Sequence, residues 1–126
     1  MPENEAEADG RFAYEGLDPV LHSQNRVGIL TALVTHSDGL SFSDLARLCS
    51  LTDGNLSRHL DVLANAELVK ITKGFEGRRP RTTCALTATG RKRFREYLTQ
   101  LEKVLRDAAA PEDATGAKAR PGLAGA

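Results

Sequence analysis

The sequence holds only two cysteines, Cys49 and Cys84, too few for a disulfide framework. They would allow one bridge at most, and the expectation is a reduced intracellular chain. No apolar run approaches the roughly 20 residues that a membrane-spanning helix needs. The acidic opening Met-Pro-Glu-Asn-Glu-Ala-Glu lacks the apolar core of a secretory signal, so a soluble, cytoplasmic protein is expected. Histidine is scarce and dispersed, at His22, His36 and His59. A metal site needs clustered ligands, so none is expected. Nor is there a paired nucleophile and base, a phosphate-cradling glycine loop or a Gly-x-Ser-x-Gly turn. These absences argue against an enzyme and against a cofactor.

Net charge is absent as well, with 17 basic and 17 acidic residues. Its distribution carries more information than its sum. Residues 1–18 hold six acids (Glu3, Glu5, Glu7, Asp9, Glu15, Asp18) against Arg11 alone, a net of −5. Residues 69–95 hold nine bases (Lys70, Lys73, Arg78, Arg79, Arg81, Arg91, Lys92, Arg93, Arg95) against Glu76, a net of +8. A concentrated basic segment is the footprint of a polyanionic partner. Residues 91–95 also suit the solvated face of a long helix. Residues 78–81 do not, because glycine and proline place them in a turn.

The 126 residues suit one domain. Residues 1–13 are polar, acidic and aperiodic, which predicts disorder. Residues 108–126 are rich in Ala, Gly and Pro and predict a second disordered tail. The ordered domain is expected over residues 14–107. Within it, Val20, Leu21, Val27, Leu30, Leu33 and Val34 recur at helical spacing between Pro19 and His36, with Asp18 as cap and Pro19 at the first helical position. A second helix is expected from a Ser41 cap, with Phe42, Leu45, Ala46 and Leu48 as its buried stripe. A third starts after Thr52 and runs to about Ala66, with Leu56, Leu60 and Leu63 on one face. The period then changes to two. A strand is expected over 69–73, a turn over 74–81 and a second strand over 82–87, giving a hairpin with a long basic tip. A last helix is expected over 88–107, where Phe94, Tyr97, Leu98, Leu101, Val104 and Leu105 sit three and four residues apart. So long a helix has few partners within its own chain. Its apolar face is expected to pack against a second copy, with the first helix contributing.

Only Cys49-Ser50-Leu51-Thr52 separates the second helix from the third, the spacing of a helix-turn-helix. Three stretches carry a resemblance: LDPVLHSQNRVGILTALVTH (17–36), FSDLARLCSLTDGNLSRHLDVLANAELVKITKGFEGRRPRT (42–82) and LTATGRKRFREYLTQLEKVL (86–105). Together they resemble the winged-helix DNA-binding domain family, and more broadly the MarR-like and ArsR-like bacterial regulators. The resemblance implies a mainly α fold with a small β-hairpin, a winged helix-turn-helix with a long C-terminal dimerisation helix. The Cys-x-Cys type site of metal-sensing ArsR-like relatives is missing.

In a helix-turn-helix the second helix enters the major groove, and its N-terminal residues meet base edges. Here these are Thr52, Asp53, Gly54, Asn55, Ser57, Arg58 and His59. Arg58 has the donors for guanine and Asn55 the amide for adenine, although both also suit a solvated helix face. Thr52 and Ser57 either bind phosphate or cap and solvate the helix. Gly54 either lets the helix start approach the DNA backbone or belongs to the turn. His59 either reaches the backbone or packs at the core edge. On the hairpin, Lys73, Arg78, Arg79 and Arg81 are expected to hold phosphates or enter a minor groove as a wing, against the plainer reading of a solubilising loop. Each cysteine reads as a small core residue ahead of a redox sensor.

The expected partners are double-stranded DNA, a second copy of the chain and an unidentified small-molecule effector. The expected function is a sequence-specific regulator, a repressor, on a pseudo-palindromic operator. The competing reading is a winged-helix protein-interaction or architectural module that reads no sequence, since fold does not fix function. A polar third helix and a basic hairpin count against it. The acidic opening segment has the charge to fold back onto the basic surface and compete with DNA.

Overall fold

The computed structural model describes residues 9–111. Its elements are α1 (Gln24–Val34), β1 (Leu40–Ser41), α2 (Phe42–Cys49), α3 (Asp53–Asn65), β2 (Val69–Glu76), β3 (Arg79–Leu86) and α4 (Ala88–Ala109). The chain divides into two units. The first, Glu15–Tyr97, contains the three shorter helices, the sheet and the beginning of α4.

Each helix of this unit starts where a hydroxyl accepts an otherwise orphaned backbone N–H. Ser23 accepts from Arg26, Ser41 from Asp44, and Thr52 from Asn55. The cap at Ser23 corrects the expected start at Pro19. Asp18 does cap a turn, taking the Val20 N–H at 2.9 Å, but that turn does not continue. Ser23 is extended (φ −148°, ψ 135°), and the helix begins after it. One face of each helix then turns inward. Ile29, Leu30 and Leu33 of α1, Leu45 and Ala46 of α2, and Leu56, Leu60 and Leu63 of α3 build the core with Leu21, Leu40, Leu68, Val69 and Cys84. Leu48 departs from the expected stripe. It is exposed and lines an open cleft with Gly28, Ala32 and His36.

The sheet is antiparallel in the order β1-β3-β2. Strand β1 (Leu40↔Cys84, Ser41↔Thr83) was not anticipated, being only two residues long. The hairpin also corrects its expected outline. Residues 74–76 and 79–81 are paired strand, closed by Gly77 and Arg78 alone. Gly77 has φ +67° while Arg78 is absent from the positive-φ residues, the pattern of a two-residue loop with glycine in its first central place. Pro80 is tolerated because β1 reaches only as far as Thr83, so at that level β3 is an edge.

Helix α4 is anchored to the segment that leaves α3. The Thr87 N–H and hydroxyl both donate to the Leu68 carbonyl, and the hydroxyl also reaches the Glu67 carbonyl at 2.7 Å. Thr87 Oγ1 accepts from the Gly90 N–H, capping the helix. A Cβ at position 90 would lie 2.0 Å from the Leu68 carbonyl oxygen, so only glycine fits there. Phe94 and Tyr97 follow on the buried face, with rings stacked 6.0 Å apart. This is a further correction. Both were expected at a dimer interface, yet they complete the core of their own chain, 1% and 2% exposed. Around them, Arg93 pairs with Asp18, and the Tyr97 hydroxyl meets His22 Nδ1 at 2.7 Å.

The second unit brings residues 9–14 together with the end of α4. The Tyr14 hydroxyl donates to Asp107 Oδ2 at 2.7 Å, and Lys103 donates to the same oxygen at 2.8 Å while lying over the Tyr14 ring. Hydrogen bonds from Lys103 and then Tyr14 hold the Asp107 carboxyl below its usual pKa. Of the two expected tails, residues 1–8 and 112–126 lie outside the described residues. Residues 9–13 and 108–111 are described, and α4 extends through Ala109.

Candidate nucleic-acid interface

Helix α3 has two faces with different tasks. Leu56, Leu60 and Leu63 fix it to the core, leaving Thr52, Asp53, Gly54, Ser57 and Arg58 exposed and Asn55 half-buried. The cap assigns Thr52 a structural role, since its hydroxyl takes the Asn55 N–H at 3.1 Å. Gly54 lies within the helix, and a Cβ there would meet open space, so it does not serve the turn. Arg58 Nη1 donates to Asn55 Oδ1 at 3.0 Å. The two side chains expected to read bases are therefore neighbours on one face, one turn apart.

His59 stands on the other side of this division. Arg26 Nη1 lies 3.1 Å from its Nδ1, and the Asn25 amide lies 3.3 Å from its Nε2. Arginine can only donate, so Nδ1 accepts and the ring is neutral. Burial, reinforced by the charges of Arg26 and Arg58, holds its pKa below 6.5. His59 thus ties α3 to α1 at the core edge.

The hairpin residues do not share one face. Opposed residues in an antiparallel pair project to the same side. Val69↔Leu86, Ile71↔Cys84, Lys73↔Thr82 and Phe75↔Pro80 take the side of buried Val69 and Cys84. Lys70↔Ala85, Thr72↔Thr83, Gly74↔Arg81 and Glu76↔Arg79 take the other. Arg79 and Arg81 are thus together, Lys73 is on the reverse side, and Arg78 occupies the turn. Arg81 Nη1 pairs with Glu76 Oε1 at 2.7 Å, removing the one acidic charge of the hairpin. Phe75, 75% exposed beside Pro80, was missed in the sequence. Extending the alternation of Val69 and Ile71 by two more steps would have found it.

The remaining reactive groups are engaged or buried. His36 Nδ1 lies 2.8 Å from the Ala32 carbonyl. Burial pushes the Cys84 thiol up to about 11 and raises that of Cys49, so neither is primed as a thiolate. Among the described residues no group of three or more His, Cys, Asp or Glu is placed to hold a metal, and no helix is long and apolar enough to cross a membrane.

The family model of the winged helix DNA-binding domain matches residues 25–105, from the first turn of α1 to the last turns of α4. The chain belongs to this family. In its terms α3 is the recognition helix and the β2–β3 hairpin is the wing. Solved structures agree on the fold. A transcriptional regulator homologue from Pyrococcus horikoshii OT3 is 28% identical, with 86% of this chain and 99% of that one covered and a TM-score of 0.67. AbsC, a MarR family transcriptional regulator from Streptomyces coelicolor, is 25% identical over 98% of this chain and 90% of its own, with a TM-score of 0.57. The M. tuberculosis transcriptional regulator MOSR, solved in complex with DNA, is 22% identical over 98% and 88%, with a TM-score of 0.60, and bears on the fold alone. No curated protein matches the chain.

Proposed function

We propose that this winged-helix chain is a sequence-specific, DNA-binding transcriptional regulator without catalytic activity, of the MarR-like kind. The observation that carries the reading is the exposed, polar face of α3, where Arg58 and Asn55 are held side by side. A helix fixed from behind by Leu56, Leu60 and Leu63 presents these groups with little conformational freedom, as base reading requires. Arg78, Arg79 and Arg81 supply the sequence-independent grip on phosphates.

The regulator acts as a homodimer. Leu98 and Leu105 of α4 are exposed, with half-buried Leu101 and Val104 between them. An apolar strip of this kind suits burial against a second copy. Two recognition helices then enter successive major grooves about 10–10.5 base pairs apart, which calls for a pseudo-palindromic operator. A bound dimer blocks polymerase without any further activity, so the regulator is a repressor. An unidentified small-molecule effector is the remaining partner of this reading.

The test is a titration of wild type and Arg58→Ala against fragments of the host genome at several salt concentrations. Tight binding to a few palindromic fragments, lost in the variant, is the expected result. Weak binding that is uniform across fragments for both proteins would refute sequence reading and favour an architectural or protein-binding module.

A further inference from the structure

Phe75 is the most exposed large apolar side chain among the described residues. Nothing in the fold explains it. It faces Pro80 across the ladder, two residues before the turn, and the pair forms an apolar patch on an otherwise charged tip. Three features indicate what covers that patch. Arg78 and Arg79 adjoin it, and Arg81 neutralises Glu76, so its surroundings attract a polyanion and hold no unpaired acid. The patch also lies on the side of the sheet that carries buried Val69 and Cys84, the side turned to the helical core. It therefore faces the same side as the helices rather than away from them. Finally, phenylalanine and proline are among the apolar side chains that proteins push between base steps from the minor groove.

We propose that Phe75, backed by Pro80, is an apolar wedge that enters the minor groove beside the wing arginines and opens a base step, bending the duplex. The proposal rests on the DNA-binding reading above and adds a role that charge does not supply. The wedge favours flexible pyrimidine–purine steps, so it selects sequence at a position where it makes no hydrogen bond. A second copy of the chain is a poor occupant, since the flanking arginines of two wings would repel each other.

The experiment uses the full chain and a duplex that wild-type protein selects from a random-sequence pool, with a fluorophore at each end. Affinity, salt dependence and end-to-end energy transfer are read for wild type, Phe75→Ala, Phe75→Leu and Arg79→Ala. Phe75→Ala is expected to lose about tenfold in affinity and most of the bend. It should keep the wild-type salt slope, because no cation is removed. Phe75→Leu should recover part of both, and Arg79→Ala should lower the slope while keeping the bend. Thermal melting of Phe75→Ala should match wild type, since the side chain is outside the core. Binding and bending by Phe75→Ala equal to wild type would overturn the wedge and leave the DNA reading intact. A Phe75→Ala chain that binds DNA normally but changes its oligomeric state would overturn it in favour of a protein contact. Failure of wild type to bind any duplex would overturn both.

Discussion

The recognition helix and the wing both offer polar and basic groups to a partner, but they are supported in opposite ways. Helix α3 stands on three fully buried leucines, is capped at Thr52 and is tied to α1 through His59. Beyond Thr82 and Ile71 the hairpin stands on nothing, since its residues are exposed from Thr72 to Arg81. Under the proposed function, the difference matches two kinds of work. Base edges demand donors fixed within a fraction of an ångström, whereas phosphates and groove walls accept a tip held by its own ladder.

Breaking the support of one region should therefore cost folding, and breaking the other only binding. The largest effect is expected at the core. Leu60→Ala leaves a cavity behind α3 and should lower folding stability by about 2–5 kcal/mol, read as a lower urea midpoint. Gly90→Ala comes next. The new Cβ would force the Leu68 carbonyl aside at about 1–3 kcal/mol, and the same denaturation curve reports it. A midpoint equal to wild type would show that α4 is free to move away from the Leu68 carbonyl.

Arg58→Ala should leave the urea midpoint alone and cost about 1–3 kcal/mol of binding at the preferred site, while relaxing base preference there. Selection of the same sequences by variant and wild type would remove the base-reading role. Arg79→Ala should weaken all duplexes alike and lower the salt slope by about one. The smallest effect concerns His59. Its folded pKa lies below 6.5, so the unfolded chain binds more protons in the window beneath that value. Stability is then full above 6.5 and falls as the pH drops through the folded pKa. His59→Gln should flatten the change in urea midpoint between about pH 7.5 and 5.5. An unchanged slope would assign the pH response elsewhere.

Much of this contrast was legible in the residues. Thr52 as cap, the spacing of Leu56, Leu60 and Leu63, and the basic residues of the hairpin all follow from local rules that the fold obeys. What was not legible has identifiable causes. Periodicity reveals that a face is apolar but not what covers it, so Phe94 and Tyr97 looked like Leu98 and Leu105. Pro19 signals a helix start, but Asp18 and Ser23 compete to cap, and Ser23 begins the helix that continues. Gly74, Gly77 and Pro80 read together as one long turn, although only Gly77 needs to bend. Strand β1 is set by pairing with Cys84 and Thr83, more than 40 residues away in sequence, which no local pattern encodes.

Gly54 and Gly90 make opposite demands on the genetic code. Position 54 opens onto empty space, so in a saturation library screened only for folding it should admit many amino acids, and any narrowing must come from selection for DNA. Position 90 abuts a backbone carbonyl that no rotamer change can move, so the same library should be strongly biased to glycine. The difference in diversity between these two sites would separate what the fold requires from what its ligand requires.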